Sequence, residues 1–377
     1  MSNNHSHEAI RQHLATARRI VVKVGSSSLA STKHGLDIDR LNTLVEVLAD
    51  RKAQGSEIIL VSSGSIAAGL EPLGFNHRPS DIAQLQAAAA VGQGLLMSAY
   101  TQAFGQLGIK AAQVLLTKED LSRKTSYNNA LRTFGALTRL GVVAVVNEND
   151  TVATQEIHFG DNDHLAALVA ELVRADGLIL LSDVDGLYTA HPQEPDSELI
   201  GHVARIADLN VDVIKTGSSG VGRGGMASKI KAARIATTAG IPVGLARWDQ
   251  ARQLLAGESV GTVFAAAEKR LSRRHGWLVH ASSAQGRLYV DAGAATALVK
   301  TPASLLAAGI SAIDGQFKAG DSVEVIGPDD RIIALGLVGF DSTDLAKMLG
   351  LTSAEVASQL GQRYARAVVH RDDLVLN

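Results

Sequence analysis

The sequence predicts an α/β protein: an open, mostly parallel sheet with helices on both faces, followed by a small, mainly β domain. Between residue 20 and about residue 264, short apolar segments alternate with longer segments of helical periodicity. Several of the short segments are almost continuously apolar, which is typical of parallel strands buried on both faces. After about residue 271 the pattern changes to short segments of alternating polarity, which is typical of β structure.

The strands of the first sheet are expected where the apolar segments are short and bounded by glycine or polar residues. They are Ile20–Val24, Glu57–Val61, Ala112–Leu116, Val142–Val146, Leu178–Leu181 and Ile241–Leu245. Each is followed by a segment long enough to return to the start of a parallel neighbour. The repeated strand-helix order therefore predicts a mostly parallel sheet.

The helices are expected between and after these strands. They are Asp37–Gln54, Asp81–Phe104, Ser122–Leu140, Asn162–Arg174 and Met226–Ala239. In the fourth of them the apolar residues lie on one face, at Leu165, Leu168, Val169, Leu172 and Val173. Gly55, Gly141 and Gly240 stand where a glycine would end a helix in a left-handed conformation.

The second domain is expected to contain strands near residues 286–291, 321–326 and 331–336, with turn residues at Gly327–Asp330. The predicted boundaries are a polar N-terminal extension at 1–18, the first domain at 19–268, a linker at 269–279, the β domain at 280–365 and a tail at 366–377. A chain of 377 residues is long for one domain, which agrees with this division.

The composition excludes several classes of protein. The chain has no cysteine, which excludes disulfides, thiolate metal sites and a cysteine nucleophile. Its net charge of −2 gives no general reason to expect nucleic-acid or membrane binding. The first residues lack the apolar core of a signal peptide, and the Ala-rich segment Ala87–Met97 is too short to span a bilayer. We therefore expect a soluble cytoplasmic protein.

An acidic cluster follows one of the expected strands. The strand ending at Val146 leads into Asn147–Asp150, and Gly160–Asp163 opens the next helix. A helix cap would explain one of these acids. However, five acids and three asparagines lie between residues 147 and 163, and that density is unfavourable without a cationic partner. Because ligands bind at the carboxyl ends of parallel strands, a small-molecule site is expected here.

Two lysines supply candidate cationic partners. Lys23 lies inside an apolar strand, before the glycine and serine residues 25–28, and Lys229 ends the glycine-rich segment 217–229 at the start of a helix. Such segments offer backbone N–H groups to an anion. The alternatives are an edge strand whose Lys23 reaches solvent and a flexible loop before Lys229. A third turn, Ser62–Gly69, either binds a carboxylate or only joins a strand to a helix.

Lysines and acids on neighbouring turns suit phosphoryl transfer, in which a protein mainly positions the reactants and neutralises charge. The match of residues 220–225 to G-x-G-x-x-G is weak because no strand precedes it, and the P-loop motif is absent. The sequence contains no evident Ser/His/Asp group. His158 and His164 flank the acidic cluster without a third spaced metal ligand.

Six motifs in order give the chain a resemblance to a known family. They begin at Lys23 (KVGSS), Val61 (VSSGSIAAG), Val146 (VNEND), Gly160 (GDND), Leu181 (LSDVDGLYT) and Gly224 (GGMASK). Together they resemble the amino-acid kinase family. Segments beginning at Gly286 (GRLYVDAGA), Ser304 (SLLAAGI) and Gly320 (GDSV) resemble a PUA domain. Against the family pattern, Arg223 stands for a common threonine, Ser62 for a threonine and Ser65 for an alanine.

The resemblance implies roles for individual residues. Lys23 and Lys229 would stabilise the transferred phosphoryl group, and Asp163 would hold both lysines. The residues expected to bind L-glutamate are Ser63, Asp150 and Asn162. The residues expected to bind ATP are Lys23, Ser182, Asp183, Arg223, Gly224, Gly225, Met226, Ala227, Ser228 and Lys229. Mg²⁺ would accompany ATP, coordinated largely by phosphate oxygens.

The implied reaction is ATP-dependent phosphorylation of the side-chain carboxylate of L-glutamate to L-glutamyl 5-phosphate, the first step of proline biosynthesis. The resemblance also implies a homo-oligomer and feedback inhibition by proline. Electrostatics agree with this acceptor, because the acidic cluster attracts an α-ammonium group and repels an acceptor that carries a phosphate. N-acetylglutamate is disfavoured for the same reason, whereas aspartate differs by one methylene and stays possible.

The competing class is a protein that binds or modifies RNA, since PUA domains occur in such proteins. Between Trp277 and Asn377 there are eight Lys and Arg residues against eleven Asp and Glu residues. That balance is unfavourable for contact with a phosphate backbone. RNA binding is therefore the minor interpretation.

Overall fold

The computed structural model describes residues 2–31, 35–152, 162–190, 194–209, 225–267, 272–301 and 303–376. The chain forms two units. The first combines Met1–Thr117 with Ala130–Arg270, and the second combines Lys118–Asn129 with Leu271–Asn377. In the residues that the structure describes, no helix is both long and apolar enough to cross a membrane.

The first unit is built on an eight-stranded sheet. Its strands are β1 (Arg19–Val24), β4 (Glu57–Ser62), β5 (Ala111–Leu116), β6 (Val143–Glu148), β7 (Gly177–Ser182), β8 (His202–Val203), β9 (Val243–Arg247) and β10 (Thr262–Phe264). A separate hairpin pairs β2 (Ala30–Ser31) with β3 (Gly35–Leu36). The strand order is β5-β6-β4-β1-β7-β9-β10-β8, and every pair is parallel except β9 with β10. The predicted open, mostly parallel sheet is confirmed.

Helices connect these strands. They are α1 (Ser2–Thr16), α2 (Ser26–Leu29), α3 (Ile38–Ala53), α4 (Ser65–Leu70), α5 (Ile82–Gln106), α6 (Lys118–Ser122), α7 (Lys124–Arg139), α8 (Asn162–Val173), α9 (Met226–Thr238) and α10 (Ala251–Leu255). Gly55, Gly141 and Gly240 have φ angles of +96°, +70° and +77°, which confirms them as left-handed residues after helices. The helix expected from Ser122 begins at Lys124, after the short α6.

The core of the sheet forms as its apolar pattern predicts. In β1 the residues from Ile20 to Val24 are all buried, which is the burial expected for a central parallel strand. The polar N-terminal extension contains α1, whose Leu14 is fully buried. Arg11 of the same helix is also buried, and its guanidinium donates to the carbonyl oxygens of Glu258 and Val260 at 2.8 and 2.6 Å. These bonds attach α1 to the first unit.

The second unit is a small domain with a five-stranded sheet. Its strands are β11 (Gly286–Val290), β12 (Ile310–Gly315), β13 (Ser322–Ile326), β14 (Ile332–Val338) and β15 (Val369–Leu376), in the order β12-β11-β13-β14-β15. Short helices accompany it: α11 (Arg273–Gly276), α12 (Ala292–Lys300), α13 (Ser342–Leu345) and α14 (Ser353–Leu360). A turn of π-helix at Trp277–Ala281 precedes the sheet.

The expected boundaries of this second unit need three corrections. The segment 366–377 is not a separate tail, because Val369–Leu376 pairs with β14 as an edge strand. Trp277, expected in a linker, is buried, and its Nε1–H donates to the carbonyl oxygen of Leu121 at 2.8 Å. The rings of Trp277 and Tyr127 lie 6.0 Å apart, so residues 118–129 belong to this unit although they precede it by about 150 residues in sequence.

Candidate active site

The candidate site lies where β6, β4, β1 and β7 end side by side. This edge carries the polar residues that follow each strand, because the carboxyl ends of parallel strands meet at one edge of the sheet. The segment after β4 contains Ser63, the segment after β6 contains Asp150, and β7 ends at Ser182. Lys23 is the second-last residue of β1. The fold therefore brings residues from four separate parts of the sequence together.

Asp163 joins the two lysines. Its Oδ1 lies 2.5 Å from the Nζ of Lys23, and its Oδ2 lies 3.2 Å from the Nζ of Lys229. All three side chains are at least nine-tenths buried. One carboxylate thus holds two ammonium groups from β1 and α9, and the pair of lysines keeps a net positive charge at the edge of the sheet.

The pKa values of this group follow from burial and charge. Burial acts to raise the pKa of the Asp163 carboxyl, but the Lys23 and Lys229 ammonium groups outweigh it and hold that pKa below its ordinary value. Burial lowers the pKa of Lys229, and the nearby Lys23 charge lowers it further, whereas Asp163 opposes both effects. Asp163 is therefore ionised at neutral pH, and its charge favours the protonated form of Lys229.

Asn162 connects the lysine group to the next part of the site. Its Nδ2 donates to Ser63 Oγ at 2.8 Å and to Asn147 Oδ1 at 3.0 Å, which uses both amide hydrogens. Asn147 is held in turn by Gln93 of α5, whose Oε1 accepts from Asn147 Nδ2 at 2.7 Å. The Oδ1 of Asn162 is buried and has no hydrogen-bond partner within the described ranges. This network fixes the Asn162 amide and leaves its Oδ1 as a buried acceptor that a ligand could use.

Asp150 supplies a second open acceptor. Its Oδ2 accepts a hydrogen bond from Ser65 Oγ at 3.0 Å. Its Oδ1 is buried and has no hydrogen-bond partner in the part of the chain that the structure describes. Burial raises the pKa of this carboxyl, and the Ser65 hydrogen bond and the charge of Arg78 counteract part of the rise. Buried acceptors without donors are rare unless a ligand or water satisfies them.

Close packing of α4 on α5 fixes the turn that holds Ser63 and Ser65. Gly64, between the two serines, has a φ of +113°, which favours glycine. A Cβ added to Gly69 would lie 1.9 Å from the carbonyl oxygen of Ala88, so only glycine permits this approach of the two helices. The turn of sequence VSSGSIAAG is therefore a rigid element.

The expected nucleotide-binding residues are only partly described. Ser182 is the last residue of β7, and its Oγ donates to Oδ1 of the following residue, Asp183, at 3.0 Å. Gly225 precedes α9, and Met226, Ala227 and Ser228 form its first turn before Lys229. Arg223 and Gly224 lie outside the described residues. Because the N–H groups at the start of a helix attract anions, the start of α9 suits a phosphate group next to Lys229.

Ser65 and Asn147 lay in motifs that the sequence placed at the site, but neither had an expected role, and Gln93 was not expected there. Gln93 gave no distinct signal, since its uncharged helix contains other glutamines, among them Gln84 and Gln86. Asn147 belonged to the acidic cluster without a role of its own. The contact between Ser65 and Asp150 spans 85 positions and left no trace in local spacing.

Comparison with known proteins identifies the family. The profile of the amino acid kinase family matches residues 18–246, and that of the PUA domain matches residues 286–360. A glutamate 5-kinase of Streptomyces avermitilis is 54% identical over 98% of this chain and 99% of its own length. One of Salinispora arenicola is 52% identical over 97% of this chain and 100% of its own length.

A solved structure has the same fold. Carbamate kinase from Giardia lamblia, bound to AMP-PNP, has a TM-score of 0.50 and 16% sequence identity over 67% of this chain and all of its own. At this identity the likeness concerns the fold alone. The two profile matches and the two close relatives agree with the motifs at the sheet edge. The chain belongs to the amino acid kinase family and carries a C-terminal PUA domain.

Proposed function

We propose that the chain catalyses ATP-dependent phosphorylation of the side-chain carboxylate of L-glutamate, giving L-glutamyl 5-phosphate and ADP. The relatives named glutamate 5-kinase, which align over nearly the full chain, support this acceptor. The observation that carries the proposal is the adjacency of Asn162 and Asp163. Asp163 holds two lysines suited to a phosphoryl group, and Asn162 presents an acceptor suited to an ammonium group.

In the proposed reaction a carboxylate oxygen of glutamate attacks the γ-phosphorus of ATP in line. A P–O bond forms to the carboxylate, the bond from the γ-phosphorus to the β–γ bridging oxygen breaks, and its electron pair leaves with ADP. No general base is needed, because a carboxyl with an ordinary pKa of about 4.3 is already ionised at neutral pH. Lys23 and Lys229 would neutralise charge on the transferred group.

Mg²⁺ would enter with ATP. It prefers oxygen ligands and in kinases is held by phosphate oxygens, water and few carboxylates. Among the described residues no group of three or more His, Asp or Glu side chains could form a metal cage. When bound, the ion would supply charge neutralisation at the phosphates.

The α-ammonium group of glutamate would bind between the open oxygen atoms of Asp150 and Asn162. This accounts for two buried acceptors that have no hydrogen-bond donor among the residues the structure describes. A phosphate-bearing acceptor would be repelled by Asp150 and by Glu148, which is also buried. An N-acetyl group would remove the charge that Asp150 attracts.

A panel of acceptors tests the proposal. Acyl phosphate is trapped as the hydroxamate with ATP and L-glutamate, L-aspartate, N-acetyl-L-glutamate or no acceptor, and UMP is followed by ADP release. We expect hydroxamate with glutamate and at least tenfold less with aspartate, since one methylene is worth about 1–3 kcal/mol. Hydroxamate with N-acetylglutamate instead of glutamate would contradict the ammonium site.

Other expectations from the resemblance stay predictions. They are the homo-oligomer and feedback inhibition by proline. The role of the PUA domain is also open to test, since RNA binding is disfavoured by its excess of acids. A gel shift with bulk tRNA at increasing salt tests the alternative, because binding that weakens steeply with salt would support RNA contact.

A further inference from the structure

The two oxygen atoms of the Asp150 carboxylate differ in their contacts. Oδ2 accepts from the Ser65 hydroxyl at 3.0 Å, whereas Oδ1 is buried without a hydrogen-bond partner in the described segments. A carboxylate can rotate about its terminal bond unless something fixes it. The Ser65 hydroxyl therefore determines which oxygen remains available to a ligand.

Ser65 itself is held rigidly. It is the first residue of α4 and is only 3% exposed. A Cβ added to Gly92 of α5 would lie 1.8 Å from the Ser65 carbonyl oxygen, so the Ser65 backbone is pressed against that helix. A hydroxyl on such a fixed backbone can orient its partner with little loss of entropy.

We propose that Ser65 is a positioning residue for recognition of the substrate's α-ammonium group, because its hydroxyl holds Asp150 with Oδ1 open to that group. This inference rests on the proposed function and adds a specificity determinant to it. Ser65 thus gives this chain a means of strengthening glutamate binding.

The hydrogen bond also favours the ionised form of Asp150. Burial raises the pKa of this carboxyl, and two groups oppose the rise: the Ser65 hydroxyl from α4 and the Arg78 charge from the segment between α4 and α5. Glu148, the last residue of β6, and Arg78 both remain when Ser65 is replaced. Loss of the hydroxyl is therefore expected to raise the pKa of Asp150 further.

Ser65→Ala tests the inference by steady-state kinetics. We expect the KM for glutamate to rise about tenfold, since a hydrogen bond to a charged group is lost. The kcat and the KM for ATP should stay near those of the unaltered protein, because the lysines and Asp163 are untouched. The acid limb of kcat/KM for glutamate should move to higher pH. The substitution removes one oxygen atom and adds no volume at this buried position, so the variant is expected to fold.

Ser56→Ala is the matched control. Ser56 is buried, its hydroxyl donates to the Ala17 carbonyl oxygen at 2.9 Å, and it precedes β4 at the opposite end of the strand from Ser65. We expect this variant to keep the KM for glutamate and the pH profile.

Glutarate, which has both carboxylates but no ammonium group, supplies a second control as a competitive inhibitor. Its inhibition constant should be the same in Ser65→Ala.

Two results would overturn the inference. One is a KM for glutamate and a pH profile in Ser65→Ala that equal those of the unaltered protein. The other is an equal weakening of glutamate and glutarate, which would mean a general distortion of the site. Failure of the proposed function is distinguishable from both, because the unaltered protein would then form no acyl phosphate with glutamate.

Discussion

Lys229→Ala is expected to lower kcat by about 10²–10³-fold at saturating ATP and glutamate. The Lys229 ammonium group is buried and held 3.2 Å from Asp163 Oδ2, and it lies in the first turns of α9. A group that stabilises charge on the transferred phosphoryl group acts most strongly in the transition state. The loss should therefore appear mainly in kcat, with a smaller change in the KM for glutamate.

Lys231→Ala is the control for this variant. Lys231 lies two residues further along α9, where its side chain is exposed. The substitution removes the same charge from the same helix without reaching the site, so kcat should stay normal. Near-normal turnover in Lys229→Ala would remove Lys229 from the mechanism.

Asp163→Asn is expected to damage both catalysis and stability. The change leaves Lys23 and Lys229 as buried neighbours without their shared counter-charge. Removing one partner of a buried ion pair typically costs about 3–5 kcal/mol of unfolding free energy. The Lys229 ammonium group is expected to hold its proton less tightly, since Asp163 no longer opposes the effect of burial on its pKa, and kcat should fall by about 10²–10³-fold. Urea unfolding and steady-state kinetics measure the two effects.

The pH dependence of stability gives this variant a separate signature. The folded-state pKa of Asp163 lies below the ordinary value of about 3.9. The contribution of Asp163 to the free energy of unfolding is therefore fully present above that pH. It is lost as pH falls from there through the folded-state pKa. Asp163→Asn should lack this acid-side loss.

Asp176→Asn is the control, since Asp176 Oδ2 accepts from the Arg19 N–H and an asparagine oxygen can replace it. Equal losses of kcat in both variants would contradict a specific role for Asp163.

The sheet could be predicted from sequence because its strands are buried on both faces. Each is then nearly continuous in apolar residues, as in β1 and β7, and the pattern places it within about two residues. Glycines that follow helices mark the helix ends independently of the apolar pattern. Lys23 and Asp163 were each notable by local rules, as a lysine in an apolar strand and an acid in a dense cluster. Their pairing came from the family resemblance.

Contacts distant in sequence account for what could not be predicted. β15 contains His370, Arg371, Asp372 and Asp373, so its composition resembles a solvated tail, and only pairing with β14 makes it a strand. Residues 118–129 belong to the second unit because of Trp277, which no local pattern reveals. The bond from Ser65 to Asp150 likewise depends on side-chain orientation.

The most direct test of the proposed chemistry uses L-glutamate with ¹⁸O in both side-chain carboxylate oxygens. Attack by a carboxylate oxygen on the γ-phosphorus makes that oxygen the bridge of the acyl phosphate. Hydroxylamine then attacks the carbonyl carbon and releases inorganic phosphate that keeps the bridging oxygen. We predict a single ¹⁸O in each phosphate released with hydroxamate. Phosphate without ¹⁸O would mean that another group received the phosphoryl group, and it would contradict the account.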